Sequence, residues 1–327
     1  MLPAAELHVH LEGTLEPELL VALAARNGVA LPTTDVEQWR ARYVFGDLQA
    51  FLDIYYANLA VLRTPQDFAD LATAYLDRAR AAGLLRVEAF FDPQVHLDNG
   101  VGLDVVFEGF GAAFDAARAR GLSCDLILCF LRDRGADAAE EVLRAAMPFR
   151  EQFIGVGLDS AEVGHPPAPF ARVFAAAAAE GLHRVAHAGE EGGPEYVRDA
   201  LDLLGVERID HGIRAMEDPE LVRRLVDEQV PLTVCPLSNV ALRAVPELAA
   251  HPLPAMLDAG LRFTVNSDDP AYFGGYVEAN IAAVRSLGLD ETALRTLARN
   301  SIDAAFVPHE QKSAWRSVLD ASELPST

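Results

Sequence analysis

The sequence contains little cysteine. Only Cys124, Cys129 and Cys235 occur in 327 residues, and their spacing matches no zinc-knuckle pattern. Each lies within an apolar run, which favours buried, reduced thiols over a disulfide framework. Since the chain also starts without a signal-peptide pattern, this cysteine usage predicts a protein of the reducing cytoplasm.

Long apolar runs and clustered basic residues are missing as well. No run reaches the roughly 20 residues of a membrane-spanning helix, so we expect no membrane association. The chain has 27 Lys and Arg against 49 Asp and Glu, a formal charge of -22, whereas nucleic-acid binding requires clustered positive charge. We interpret the acidic excess as helix faces that keep the protein in solution. The oligomeric state stays open.

Eight short apolar runs alternate with longer amphipathic segments rich in Ala and Leu. They predict strands at residues 5–11, 85–91, 124–131, 153–159, 183–188, 207–211, 231–236 and 262–267. Between most of them, apolar residues recur every three or four positions, as in helices. Alternating strands and helices are typical of a parallel sheet. Eight such units predict an α/β fold, a (β/α)8 TIM-type barrel.

Residues 12–84 are too long for a single crossover helix. We therefore predict a helical insertion after the first strand that partly covers the mouth of the barrel. The insertion contains six large aromatic residues, most of which we expect to pack between helices: Trp39, Tyr43, Phe45, Phe51, Tyr55 and Tyr56. No linker-like composition divides the chain, so we predict one domain over residues 1–327.

Histidines and acids recur at the ends of four predicted strands. They are His8 and His10 after strand 1, His187 and Glu190 after strand 5, His211 after strand 6, and Asp268 and Asp269 after strand 8. Catalytic groups of such barrels come from these carboxyl ends. Because residues two apart in a strand face the same side, His8 and His10 both point into the barrel.

A single His-x-His pair is weak support for a metal site, since many such pairs are ordinary core or surface residues. Four independent strand ends that all carry metal-compatible groups are far harder to obtain by chance. Three imidazoles and one carboxylate would leave a position for water on zinc. Fe(II) or Mn(II) would tolerate the same ligands. We predict one metal ion per chain, with zinc favoured.

Five motifs extend this pattern over most of the chain. They are HVHLEGTLEP at residues 8–17, HAGE at 187–190, DHG at 210–212, VCPLSN at 234–239 and NSDDP at 266–270. With these motifs in this order, the chain resembles the adenosine and adenine deaminases of the amidohydrolase superfamily. The resemblance implies a zinc-containing barrel that hydrolytically removes the 6-amino group of a purine.

The resemblance also implies a role for each residue of the pattern. His8, His10, His187 and Asp268 match the metal ligands. A bound metal ion lowers the pKa of water towards about 7 and so makes a nucleophile available at neutral pH.

Three further residues match groups that act on the purine. Glu190 matches the proton donor to ring N1, which makes C6 electrophilic. His211 matches the histidine that orients the water and stabilises developing charge. Asp269 matches the residue that hydrogen-bonds ring N7.

Two positions bear on which purine is bound. Glu12 stands where adenosine-specific relatives usually carry an Asp near the ribose. Glu162 is aligned with a glycine of those enzymes, so we expect it to crowd a ribose and to accept a hydrogen bond from the imidazole N–H of a free base. Both are predicted substrate-binding residues.

Four segments resemble the adenine deaminase branch of the family: residues 47–56, 90–94, 157–167 and 269–275. Ser160, in the third of them, is a further predicted substrate-binding residue. The resemblance thus implies conversion of adenine to hypoxanthine and ammonia in purine salvage, in the cytoplasm.

Several alternatives stay open at this point. Within the family, the substrate could be adenosine, an N6-substituted adenine such as isopentenyladenine, or aminodeoxyfutalosine. Relatives with a second metal and a bridging modified lysine are disfavoured, because no lysine lies near the end of strand 4. From another class, the chain could be a catalytically inactive purine-binding protein. A zinc-dependent nucleic-acid deaminase is excluded, because its His-x-Glu and Pro-Cys-x-x-Cys signature is missing.

Overall fold

Eight parallel strands form the centre of the protein in the computed structural model, which describes residues 2–322. They are β1 Ala5–His10, β2 Arg86–Phe91, β3 Ser123–Leu131, β4 Phe153–Asp159, β5 His183–Ala188, β6 Arg208–His211, β7 Leu232–Val234 and β8 Phe263–Val265. Each strand pairs with the next one along the chain. All eight predicted strands are confirmed, with ends within two residues of those observed.

The barrel closes between its first and last strands. Val9 pairs in parallel with Asp268, the His10 N–H donates to the Asp268 carbonyl, and the Asp268 N–H donates to the His8 carbonyl, both at 3.0 Å. Eight parallel strands with helices between them confirm the predicted (β/α)8 barrel. The closure also brings the His-x-His strand directly beside Asp268.

Fifteen α-helices surround the strands in the described part of the chain. They are α1 Pro17–Asn27, α2 Val36–Arg42, α3 Leu48–Asn58, α4 Pro65–Ala81, α5 Pro93–Asp98, α6 Leu103–Ala119, α7 Ala136–Ala146, α8 Ala171–Ala179, α9 Pro194–Asp199, α10 Pro219–Asp227, α11 Pro236–Ala241, α12 Leu253–Asp258, α13 Val277–Ser286, α14 Glu291–Ala304 and α15 His309–Ala321. Over residues 2–322, no helix has the length and apolar character needed to cross a membrane.

The segment between β1 and β2 contributes α1 to α3 in addition to the crossover helix α4. Asp47 caps α3 by accepting a hydrogen bond from the Ala50 N–H at 2.8 Å, as N-cap acids commonly do. The Phe51 ring packs 4.7 Å from that of Phe273, in the segment after β8. Helix α3 is therefore fixed against the mouth of the barrel by aromatic contacts.

Charged groups fill the amino-terminal end of the barrel. Glu88 of β2 accepts hydrogen bonds from Arg86 at 3.1 Å and Arg208 at 2.7 Å, and also from the Phe306 N–H at 2.6 Å. Burial opposes its ionisation, but the two guanidinium charges hold the pKa of Glu88 below its usual range. Both of its oxygens are paired, so the buried charge of Glu88 is balanced by groups of the protein itself.

Candidate active site

Four predicted ligands converge at the carboxyl end of the barrel. His8, His10, His187 and Asp268 are all buried, and one donor atom from each lies within 4.8 Å of the others. His8 and His10 arrive from the inward face of β1, His187 from β5, and Asp268 from just beyond β8. The structure thus brings together all four residues that the sequence assigns to a metal.

The spacing of the donor atoms fits a tetrahedral ion. His10 Nε2 lies 3.2 Å from His187 Nε2, and Asp268 Oδ1 lies 3.2 Å from His8 Nε2 and 3.5 Å from His10 Nε2. Ligands bound to zinc at about 2.0–2.1 Å in a tetrahedron are separated by about 3.3 Å. His8 Nε2 is buried without a hydrogen-bond partner, as expected of a nitrogen that is available to a metal.

Burial and mutual repulsion set the charges of these groups. Burial lowers the pKa of His10 to about 4, and it lowers the pKa of His187 well below its usual value with help from the charge of His8. Burial alone would raise the pKa of Asp268, but the neighbouring His8 charge holds it well below the usual range. Neutral His10 and His187 imidazoles beside an ionised Asp268 are protonation states that a divalent cation requires, whereas the charge of Asp268 raises the pKa of His8 despite its burial.

Two residues that the sequence did not identify as part of the site, Thr233 and Asp210, contact the ligating histidines. Thr233 Oγ1 lies 2.9 Å from His8 Nδ1 and donates to Asp210 Oδ1 at 2.8 Å. Asp210 Oδ2 also lies 3.7 Å from His187 Nδ1. Such groups orient ligating histidines through the ring nitrogen that faces away from the metal. Asp210 belongs to the DHG motif, but its position in that motif does not predict that it faces the imidazoles of His8 and His187.

His211 and Glu190 meet beside the ligand cluster. His211 Nε2 lies 3.6 Å from Glu190 Oε2 and 3.8 Å from Asp268 Oδ2. Burial raises the pKa of Glu190 well above its usual value, and the Asp268 charge raises it further. Both effects favour the protonated form of Glu190, which is the form that a proton donor needs.

A chain of hydrogen bonds fixes the tautomer of His211. The Leu253 N–H donates to His251 Nδ1, so His251 Nε2 carries the proton that it donates to Asn239 Oδ1, both at 3.2 Å. Asn239 Nδ2 then donates to His211 Nδ1 at 3.2 Å. The proton of His211 is therefore on Nε2, directed towards Glu190 and Asp268. His251 is buried, and its Nδ1 accepts the hydrogen bond from the first residue of α12.

Three residues of the site have a left-handed backbone. Ser160, His211 and Asp268 have φ angles of 70°, 62° and 65°, a conformation that is uncommon outside glycine. Strained positions of this kind cluster at functional sites because the surrounding structure holds them.

Asp269 lies against the first loop of the barrel. A Cβ atom on Gly13 would lie 2.1 Å from Asp269 Oδ1 and 2.7 Å from its Cα, so the glycine of the HLEG motif permits this approach. Burial raises the pKa of Asp269 well above its usual value, as does the Asp268 charge. Its side chain lines the same cleft as Glu190 and His211.

Glu162 is outside the lining of the cleft, and its carboxylate is bound by one backbone loop. Its Oε1 accepts from the Gly189 N–H at 2.6 Å, and its Oε2 accepts from the N–H groups of Glu190, Glu191 and Gly192 at 3.1, 2.8 and 2.8 Å. Both oxygens are thus used to hold the loop that carries Glu190. Sequence alignment to a motif does not reveal which neighbouring backbone a buried carboxylate meets.

Glu12 is likewise outside the lining of the cleft. One of its oxygens accepts from the Asp92 N–H at 3.0 Å and lies 2.8 Å from His96 Nε2. Ser160 does line the cleft, where its Oγ accepts a hydrogen bond from the Tyr56 hydroxyl at 3.1 Å.

The cleft beside the ligand cluster is bounded by helix α3 and by the carboxyl ends of the strands. Helix α3 supplies one wall with Leu48, Phe51, Leu52, Tyr55 and Tyr56. Asp92 and Asp159 also line the cleft, close to His10, and neither acid belongs to the site predicted from the sequence. Each follows or ends a strand, and this position was the signal that could have identified them.

Comparisons with known proteins agree with this geometry. The family model described as adenosine deaminase matches residues 3–322. An adenine deaminase of Streptomyces coelicolor is 62% identical, over 99% of this chain and 97% of its own length. The crystal structure of an adenine deaminase from Arthrobacter aurescens superposes with a TM-score of 0.96 at 53% identity, covering 98% of both chains.

A more distant structure, an amidohydrolase from Burkholderia ambifaria determined with bound Zn, has a TM-score of 0.90 at 30% identity and covers 98% of this chain and 90% of its own. The family match spans nearly the whole chain, and the buried His and Asp cluster agrees with the metal dependence of such deaminases. The chain therefore belongs to the adenosine deaminase family.

Proposed function

We propose that the protein is an adenine deaminase, a hydrolase that converts adenine and water to hypoxanthine and ammonia. The observation that carries this proposal is the convergence of Glu190, His211 and Asp269 on a buried four-ligand cluster in one cleft. The choice of adenine over other aminopurines is supported by the relatives from Streptomyces coelicolor and Arthrobacter aurescens.

His8, His10, His187 and Asp268 would hold one zinc ion. Three imidazoles and a carboxylate are a zinc-type donor set, and the Zn found in the Burkholderia ambifaria relative supports the same choice here. Fe(II) and Mn(II) accept such ligands too. When bound, the ion would supply a water of lowered pKa as the nucleophile.

Glu190 is the proposed proton donor to ring N1. Burial and the Asp268 charge raise its pKa and so favour the protonated carboxyl group, and the Glu162 carboxylate fixes the backbone on both sides of it. A protonated N1 withdraws electron density from C6, which favours addition of water at that carbon.

His211 and Asp269 are the proposed partners of Glu190. The Nε2 proton of His211 points to the space between Glu190 and Asp268, where it can donate to the attacking oxygen and stabilise its charge. Asp269 lines the same cleft and is the proposed partner of ring N7. Ser160, beside Tyr56 at the rim, is proposed to contact the bound base.

The proposal is tested by ammonia release from the zinc-loaded protein with adenine, adenosine and N6-isopentenyladenine supplied separately. We expect kcat/KM for adenine to exceed the other two values by at least about 100-fold. A preference for adenosine or for the N6-substituted base would contradict the substrate assignment but keep the chemistry. No ammonia from any of the three, with zinc bound, would contradict the assignment of an aminopurine deaminase.

A further inference from the structure

The ends of β2 and β4 place two buried carboxyl groups on one wall of the cleft. Asp92 follows β2 and Asp159 ends β4, and their exposed fractions are 1% and 3%. The two side chains lie within hydrogen-bonding reach of each other. Both line the space in which the substrate would sit.

Few protein groups donate hydrogen bonds to Asp92 and Asp159, which we call the acid pair. The Tyr55 hydroxyl is 3.5 Å from Asp92 Oδ2, His10 Nδ1 is 3.7 Å from Asp159 Oδ2, and the Cys129 thiol also contacts Asp159. The first two contacts are at or beyond hydrogen-bond length, and a thiol is a weak donor. Oδ1 of each acid has no donor among the described residues.

A buried carboxyl oxygen without a donor destabilises the fold, because it gives up hydrogen bonds to water and receives none from the protein. Consistent with this cost, burial raises the pKa of Asp92 well above its usual value, and the charge of Asp159 adds to the effect. Buried polar groups in proteins nearly always have partners. A ligand N–H group in the cleft would supply the donor that the protein does not.

The arrangement of polar groups in the cleft indicates which N–H group this is. If Glu190 contacts N1 and Asp269 contacts N7, the ring nitrogens on both sides of the 6-amino group are occupied. The opposite edge of a purine carries N3 and N9. Apart from the metal ligands and catalytic groups, the polar lining consists of Tyr55, Tyr56, Asp92, Asp159 and Ser160, so this edge must face them.

We propose that the Asp92–Asp159 pair accepts a hydrogen bond from N9–H of the free base, and that this contact selects a base over its nucleoside. The inference rests on the proposed function and deepens it. A nucleoside carries ribose in place of that hydrogen, so it offers no donor and adds bulk against Tyr55 and Tyr56. A carboxyl oxygen can accept in either protonation state, so the contact does not depend on where the pair's proton lies.

A divalent cation is the main rival occupant. His10, Asp92 and Asp159 also have donor atoms within 4.8 Å of one another, and a second ion there would satisfy the same oxygens. The two explanations differ in metal content. If the pair binds N9–H, the wild type and the Asp92 variants should each contain one zinc per chain. If the pair binds a second ion, the wild type should contain two metal ions per chain and the Asp92 variants one.

The wild-type protein gives the first test, with 9-methyladenine as the probe. Replacing N9–H by N–CH3 removes the donor but adds much less bulk than ribose. We expect kcat/KM for 9-methyladenine to be about 100-fold lower than for adenine, and 9-methylhypoxanthine to bind correspondingly more weakly than hypoxanthine in calorimetry. Equal turnover and equal binding of the methylated and unmethylated bases would overturn the inference.

The second test uses Asp92→Asn and Asp92→Ala, with Asp104→Asn on the exposed start of α6 as the matched control. In the two Asp92 variants, kcat/KM for adenine should fall at least about 10-fold while that for 9-methyladenine changes little, so that their ratio collapses. The control should keep the wild-type ratio. An unchanged ratio in folded Asp92 variants, or loss of a second zinc from them, would overturn the inference.

Failure of the inference can be told apart from failure of the proposed function. If the zinc-loaded wild type does not deaminate adenine, the proposed function fails. If it deaminates adenine and 9-methyladenine equally well, the proposed function stands and the N9–H contact is wrong. Because the wild-type comparison needs no substitution, the test remains decisive even if an Asp92 variant does not fold.

Discussion

Glu88 within β2 and Asp92 just after its end are four residues apart along the chain, yet their surroundings are opposite. Glu88, at the amino-terminal end of the barrel, accepts hydrogen bonds from Arg86, Arg208 and the Phe306 backbone. Asp92, at the mouth, has only a long contact with Tyr55 and shares its environment with another acid. Their pKa values shift accordingly, that of Glu88 downwards and that of Asp92 upwards.

The difference separates groups that stabilise the fold from groups that are available to a ligand. The amino-terminal end pairs its buried charges within the protein. The mouth leaves oxygens of Asp92, Asp159, Glu190 and Asp269 without protein donors. Strained or unsatisfied groups at a cleft cost stability and are typical of sites that bind and react. Variants at the two ends should therefore affect different measurements.

Glu190→Gln should have the largest effect, and on turnover alone. We expect kcat for adenine to fall by about 10³-fold or more, because the amide cannot deliver a proton to N1. Zinc content should stay at the wild-type value, and the melting temperature should stay equal or rise, because a buried acid with a raised pKa is removed. Steady-state kinetics, metal analysis and thermal melting check the three expectations.

Glu191→Gln is the matched control, since its side chain is only partly buried and lies outside the cleft lining. It should keep nearly all activity. A Glu190→Gln protein that retains the wild-type rate would remove Glu190 from the mechanism.

Glu88→Gln should affect stability rather than catalysis. Removing the Glu88 charge leaves the buried Arg208 without its nearest counter-charge, while Arg86 keeps Asp125; loss of one partner of a buried ion pair typically costs about 3–5 kcal/mol. Urea unfolding at neutral pH should show this loss, while kcat/KM of the folded protein changes less than about two-fold. A large loss of activity with unchanged stability would break the contrast between the two ends.

The stability difference should also depend on pH. The pKa of Glu88 is below its ordinary value of 4.5 in the folded protein, so the carboxylate stabilises the fold above that pH. Its contribution is lost as the pH falls through the folded-state pKa. The gap between wild type and Glu88→Gln should therefore be full near pH 7 and shrink in more acidic buffer. A gap that widens on acidification would contradict the assignment.

Glu162→Gln tests an acid at the mouth whose oxygens are both paired. The amide presents an NH2 group to backbone N–H donors, so the loop that carries Glu190 should lose its fixed position. We expect kcat to fall by about 10- to 100-fold with KM and zinc content nearly unchanged. Glu162→Asp should recover part of the rate.

A double variant distinguishes positioning from general structural damage. If Glu162 acts through Glu190, adding Glu162→Gln to Glu190→Gln should lower the rate little further. Full additivity of the two effects would show that Glu162 acts by another route.

Glu228→Gln should have the smallest effect. Glu228 pairs with Arg224 at 3.0 Å near the end of α10, and the two side chains are 52% and 29% exposed. Exposed pairs of this kind contribute about 0.3–0.5 kcal/mol. Urea unfolding should show a loss of unfolding free energy no larger than this, and the kinetic constants should not change. The loss expected for Glu88→Gln is several times larger.

The barrel and its ligands could be read from the sequence because both are repetitive patterns. Apolar runs mark strands, and parallel strands present their carboxyl ends together, so His8, His10, His187 and Asp268 had to meet if the barrel formed. Glu190 and His211 followed the same rule. The periodicity that predicts a strand thus also predicts where its last residues point.

The groups that depend on contacts between distant loops could not be predicted in this way. Glu162 was interpreted as a substrate contact, although it binds four backbone N–H groups of residues 189–192. Asp92 and Asp159 end strands that are separated by β3, and nothing in either segment shows that they share a wall. Backbone donors and side-chain directions at loop ends leave no periodic trace in the sequence.

Zinc titration of the adenine reaction tests the central claim most directly. The metal-stripped protein is supplied with increasing zinc, and hypoxanthine formation is measured at each addition together with bound metal. We expect the rate to start near zero, to rise in proportion to bound zinc and to level off at one zinc per chain. Full activity without metal, or a rate that reaches its maximum only at two zinc ions per chain, would contradict the account.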